Sequence, residues 1–90
     1  MIIYILLVFC DKHSGRVIDG RVEKLGIIES FNICLDLVKS VWPTANGITW
    51  YKKSSKNCYA RFGATRIKYV PTANSVACLF SPGKTKDIKQ

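Results

Sequence analysis

Four cysteines, Cys10, Cys34, Cys58 and Cys78, spaced 24, 24 and 20 residues apart, constrain this 90-residue chain more than any other feature. Metal sites bring their ligands in close pairs such as C-x-x-C, and no two of these cysteines are neighbours. His13 is the only histidine. A zinc site therefore has too few closely spaced ligands. A Cys–His–acid nucleophile is equally poorly served, because His13 reads as an exposed loop residue rather than a base. No metal and no cofactor is expected. Disulfides suit the spacing and would give covalent support to the compact core of a small domain.

With 48% hydrophobic residues and 22% charged ones, the chain is too apolar for an intrinsically disordered segment and long enough for one small domain. Its net charge of +8 is unevenly spread. Residues 1–50 balance Lys12, Arg16, Arg21, Lys24 and Lys39 against Asp11, Asp19, Glu23, Glu29 and Asp36; residues 51–90 hold nine basic residues and one acid, Asp87. An anionic partner, if there is one, is expected to meet the second half.

Residues 1–9, Met-Ile-Ile-Tyr-Ile-Leu-Leu-Val-Phe, read either as a short signal or hydrophobic segment or as a first strand. The run is too short for a bilayer span, which takes about 20 residues. Against a signal, no Lys or Arg precedes it and no small-x-small site follows. Residues 11–29 carry Gly15, Gly20 and Gly26 between short apolar pairs and read as turn-rich, with one or two short strands. A helix is expected from Phe31 to Trp42, capped by Ser30 and stopped by Pro43. Cys34, Leu37, Val38 and Val41 fall on one stripe of it, with Asp36 and Lys39 off the stripe and solvated.

After Pro43–Gly47 the period changes to two. Ile48–Tyr51, Cys58–Phe62, Arg66–Val70 and Val76–Phe80 read as strands rich in β-branched and aromatic residues. Lys52–Asn57 joins the first two as a hairpin loop, and 81–90 reads as a polar tail. The expected fold is α+β: one helix packed on a small, mostly antiparallel β-sheet, disulfide-stabilised, over residues 10–80. Of the three possible cysteine pairings, this reading favours Cys34 with Cys58 across the helix–sheet interface, leaving Cys10 and Cys78 to tie the ends together.

The turn-rich opening, the Ser-Phe-Asn-Ile-Cys34-Leu-Asp-Leu-Val38 helix, the Gly47-Ile-Thr-Trp-Tyr51 strand and the Asn-Cys58-Tyr hairpin partner together resemble the PAN/apple domains of secreted proteins. That family has six core cysteines, one bridge joining the ends and two anchoring the helix to the central hairpin. Val38 stands where the helical motif's second cysteine would be, and its partner's place falls near Ala45, so one whole bridge is missing and no orphan remains. The resemblance, to a reduced-cysteine variant, implies a secreted, extracellular binding module for protein or carbohydrate, including sulfated glycans. It implies no catalytic residue.

Strand alternation supplies a ligand surface without reference to any family. With Cys58, Ala60 and Phe62 inward, Tyr59 and Arg61 point outward. With Ile67 and Tyr69 inward, Arg66 and Lys68 point outward on the same sheet. Tyr51 and the loop residues Lys52, Lys53 and Lys56 complete a cationic patch interleaved with aromatics, suited to sulfated or acidic glycans and hence to heparin. Trp42 and Trp50 are expected in the core. The alternative function is single-stranded nucleic-acid binding: Ile3-Tyr4-Ile5 and Arg61-Phe62-Gly63-Ala64 faintly resemble the two aromatic strand motifs of an RNA-recognition fold. The second motif lacks the Gly-aromatic order, however, and no second helix separates the last strands. With no carboxylate pair, phosphate loop or activated nucleophile, no enzyme activity is expected.

Overall fold

The computed structural model describes residues 10–53 and 55–82. The reading of 1–9 as signal or strand, and that of the tail from 83 onward, lie outside the described residues. Six strands, β1 (His13–Val17), β2 (Arg21–Ile27), β3 (Gly47–Tyr51), β4 (Asn57–Phe62), β5 (Ile67–Tyr69) and β6 (Ser75–Leu79), form an antiparallel sheet in the order β2-β4-β3-β6-β1-β5. Among the described residues there is one helix, α1 (Phe31–Val41), which packs on β3 and β4. The architecture is thus the α+β one that the period change at Gly47 predicts.

Helix α1 begins where a side chain can serve its unpaired donors. Ser30 Oγ accepts from the Ile33 N–H at 3.2 Å, and Ser30 itself is extended. Trp42 closes the last turn by donating its N–H to the Val38 carbonyl, and Pro43 follows.

 That bond from Trp42 is 2.8 Å long. The buried face of α1 is Phe31, Cys34 and Val38, with Leu35 packed partly beside them. Here the sequence expectation is corrected: Leu37 and Val41 are 38% and 50% exposed. Seven of the eleven helical residues are apolar, so a 3.6-residue period fits more than one stripe. The stripe that is buried is the one opening on Phe31, whose ring also carries the Lys12 ammonium 5.3 Å from its centroid. Lys39, expected in solvent, is half-buried with its ammonium 5.0 Å from the Phe80 ring centre.

Both disulfides form as the elements predict. Cys34 on α1 meets Cys58 on β4 with Cα atoms 5.7 Å apart, and Cys10 meets Cys78 on β6 at 5.5 Å. Cys34, Cys58 and Cys78 are completely buried among Val38, Ala45, Ile48, Trp50, Ala60 and Phe80, the core between α1 and the sheet. Trp50 sits there as expected and donates its indole N–H to the Ile28 carbonyl at 2.9 Å, which gives the polar end of a buried ring its partner. Trp42 packs at the edge of the same core, edge-on to Phe62.

A second, smaller core lies against the other face of the sheet, made by Val17, Ala64 and Ala77 with Ile67 and Leu79. It exists because β1 serves two partners: His13 and Ser14 pair with β6, and Gly15 to Val17 pair with β5. Gly15, at φ 137°, stands at the change of partner, where a Cβ would lie 1.9 Å from the Lys68 carbonyl oxygen. Strand β5 therefore lies at the sheet's far edge, beside β1 and away from β4. Tyr69, expected to point inward, is 64% exposed and stands edge-on to His13 with ring centres 4.9 Å apart. Strand β5 has only three residues, so it has little interior face to fill beyond Ile67.

Asp19 fastens the β1–β2 turn to the loop before β5. Its carboxylate accepts from the Thr65 hydroxyl, from the Thr65 N–H at 2.8 Å and from the Arg66 N–H at 3.2 Å. The Arg66 guanidinium lies 3.7 Å away. These contacts, the Thr65 hydroxyl foremost, lower the Asp19 pKa from 3.8 to about 2. Since the folded chain keeps Asp19 ionised at pH values where the unfolded chain protonates it, the anchor stabilises the fold fully above about pH 5 and fades as pH falls towards 2. Asp19→Asn is expected to lower the melting temperature at pH 7 and to flatten its fall between about pH 5 and 2. An unchanged pH profile would remove the anchor from the acid response.

Candidate functional site

The face of the sheet away from α1 carries a groove of about 220 Å³ lined by Arg16, Val17, Val22, Thr49, Tyr51, Tyr59 and Arg61. Cross-strand register puts these residues together. Tyr59 faces Thr49 on β3, and Arg61 faces Val22 on β2, so four side chains from three strands share one face. Tyr51 and Tyr59 meet edge to face, ring centres 5.9 Å apart and planes at 81°. Beneath them Thr49, 3% exposed, accepts the Val17 N–H on its hydroxyl oxygen at 3.0 Å.

Arg61 is held rather than free. Its Nη1 donates to the Asp19 and Gly20 carbonyls, both at 3.3 Å, while its buried Nε has no hydrogen-bond partner. Arg16, from β1, is exposed and makes no ion pair with a described residue. The groove therefore has two guanidinium groups, two phenols and a threonine hydroxyl, and no carboxylate in its lining.

Comparisons with family models, with curated proteins and with solved structures find no match.

Of the eight ligand-binding residues expected from the sequence, the groove brings together Tyr51, Tyr59 and Arg61. Lys68 lies on β5, opposite Arg16 in the β1–β5 register, and so extends the cationic surface along that edge. Arg66 lies beside Asp19. Lys56 is turned towards Glu29, 3.7 Å away, on a backbone at φ 51°. Lys52 and Lys53 leave the end of β3, where their N–H groups donate to the Asn74 backbone and side-chain oxygens, each at 2.9 Å. Lys52 also borders a second hollow of about 310 Å³ beside Phe31 and Trp50, on the helix side. The eight residues are thus distributed over more than one surface.

Arg16, Val17, Val22 and Thr49 complete the groove and lie outside the surface that the sequence predicts. Alternation marks Thr49 as facing away from Ile48 and Trp50, which was a usable signal. Arg16 and Val22 come from the turn-rich segment, where nothing local says which strand lies beside β4 or how β1 meets β6. Among the described residues no three His, Cys, Asp or Glu side chains group as a metal site requires, and no helix is long and apolar enough to cross a membrane.

Proposed function

We propose that this chain is a non-catalytic recognition module of the PAN/apple kind, with one bridge fewer, that works outside the cell and binds an acidic protein or glycan on the helix-free face of its sheet. The observation that carries the reading is the groove itself, where Arg16 and Arg61 stand beside Tyr51 and Tyr59 with no acidic side chain in the lining. Guanidinium forks match sulfate and carboxylate oxygens, and aromatic faces suit the C–H surface of a sugar ring. Two disulfides are compatible with an oxidising, extracellular setting. Lys68, opposite Arg16 in register, lets a longer polyanion run from Arg61 across β1 to the β5 edge.

The test is a matched pair of charge reversals on a heparin column. Arg61→Glu with Lys68→Glu, and Lys84→Glu with Lys86→Glu, each lower the formal charge from +8 to +4. Compared at a temperature where circular dichroism shows both to be folded, the sheet-face pair is expected to elute at markedly lower salt than the tail pair. Equal elution would reduce the interaction to net charge.

A further inference from the structure

The groove offers donors in excess of acceptors, and the excess is fixed in place. Thr49 accepts the Val17 N–H, so its own hydroxyl proton is left to donate, and no described residue takes it. Arg61 spends Nη1 on the Asp19 and Gly20 carbonyls but leaves its Nε–H without a partner. Arg16 brings a guanidinium with no described ion-pair partner to the same lining. A buried donor without an acceptor is costly, and more so when it is charged. The outer Nη2 of the same fork bonds to no described residue, so an occupant that supplies acceptor oxygens can meet it beside Arg16.

Resting on the reading above, we propose that this groove is the seat of one oxyanion, a sulfate ester or carboxylate carried on a saccharide, held by Arg61 and Arg16 with the sugar ring against Tyr51 and Tyr59. Size supports a single seated group: drug-sized ligands take pockets of about 300–1,000 Å³, and this groove has about 220 Å³. The remainder of the ligand lies outside it, along Lys68. Pre-organisation supports specificity, because the carbonyls of Asp19 and Gly20 hold the Arg61 fork before the ligand arrives. The rings favour a sugar over a run of bases. Single-strand binders stack successive bases on separate flat platforms, whereas Tyr51 and Tyr59 are locked edge to face with planes at 81°.

The experiment titrates the intact, disulfide-bonded chain, followed by NMR of its arginine Nε–H and tyrosine ring signals, with a sulfated heparin disaccharide, inorganic sulfate and oligo(dT). The disaccharide is expected to shift Arg61 Nε–H and the Tyr51 and Tyr59 rings saturably, and to bind more tightly than sulfate alone. Arg16→Ala is expected to weaken it about tenfold and Arg61→Lys at least tenfold, as losses of charge-assisted bonds. Arg16 makes no described ion pair, so its variant keeps the test valid if Arg61→Lys destabilises the fold. Sulfate binding as tightly as the disaccharide would overturn the sugar contact, and tighter oligo(dT) binding would overturn the saccharide source. If longer heparin binds while Arg16→Ala and Arg61→Lys leave it unchanged, the seat fails and the acidic-partner reading survives. If no acidic glycan binds at all, both fail.

Discussion

Replacing Cys34 and Cys58 together by alanine is expected to lower the melting temperature by about 15–30 °C, and Cys34→Ser alone to lower it further. The bridge closes a loop with a sequence separation of 24. Constraining such a loop in the unfolded chain is worth roughly 3.5 kcal/mol in the chain-entropy model, and about 4–8 °C follows each kcal/mol in a domain of this size. A 90-residue domain has only about 5–13 kcal/mol in all, so the loss takes a large share of it. The serine variant is worse because both sulfur positions are fully buried between α1 and β4. It puts a hydroxyl among Val38, Ile48 and Ala60 and leaves the Cys58 thiol unpaired there. Thermal melts followed by the near-ultraviolet signal of Trp50 report this directly. A melting temperature within a few degrees of wild type would mean that apolar packing alone holds α1 to the sheet.

The helix and strands that this bridge joins are only partly readable in the sequence. Helix α1 is legible at both ends, because Ser30 and Pro43 act on groups one turn away. Strands β3, β4 and β6 are legible within a residue or so, because a period of two is a local property of Gly47–Tyr51, Asn57–Phe62 and Ser75–Leu79. Which helical stripe is buried is not local. Cys34, Leu37, Val38 and Val41 and the observed Phe31, Cys34, Leu35 and Val38 are both legitimate stripes. Only the position of β3 and β4 beneath the helix chooses between them.

The same limit applies to the candidate site. Tyr59 and Arg61 are readable as outward because Cys58 must face the helix to reach Cys34. That β2 lies beyond β4, bringing Val22 opposite Arg61, depends on pairings across about 40 residues. That β5 pairs with β1 rather than β4 depends on Gly15, whose missing side chain admits the Lys68 carbonyl. Strand pattern fixes which way a residue points, and chain topology fixes which residues it meets. Tyr59 and Arg61 point outward as strand alternation predicts, while their neighbours in the groove are set by topology.

The second bridge separates two contributions that the first one combines. Cys10 and Cys78 lie 68 residues apart in sequence, so the loop they close is longer and the chain-entropy model assigns it about 4.4 kcal/mol. The two loops are nested, however, since Cys34–Cys58 lies wholly inside Cys10–Cys78. With one bridge in place the unfolded chain is already compact, so the two stabilisations sum to less than their separate values. Packing differs too. Cys78 is fully buried but Cys10 is only half-buried, and β1 remains paired to β6 through His13 and Ser14 without the bridge. Replacing Cys10 and Cys78 by alanine is therefore expected to lower the melting temperature by about 15–35 °C while the helix–sheet core keeps its near-ultraviolet signal below the transition. The denaturant slope is expected to rise in this variant, because removing the outer constraint lets the unfolded chain expose more surface. A larger rise in slope for the Cys34–Cys58 pair than for the Cys10–Cys78 pair would show that the inner loop, not the outer one, governs the compactness of the unfolded state.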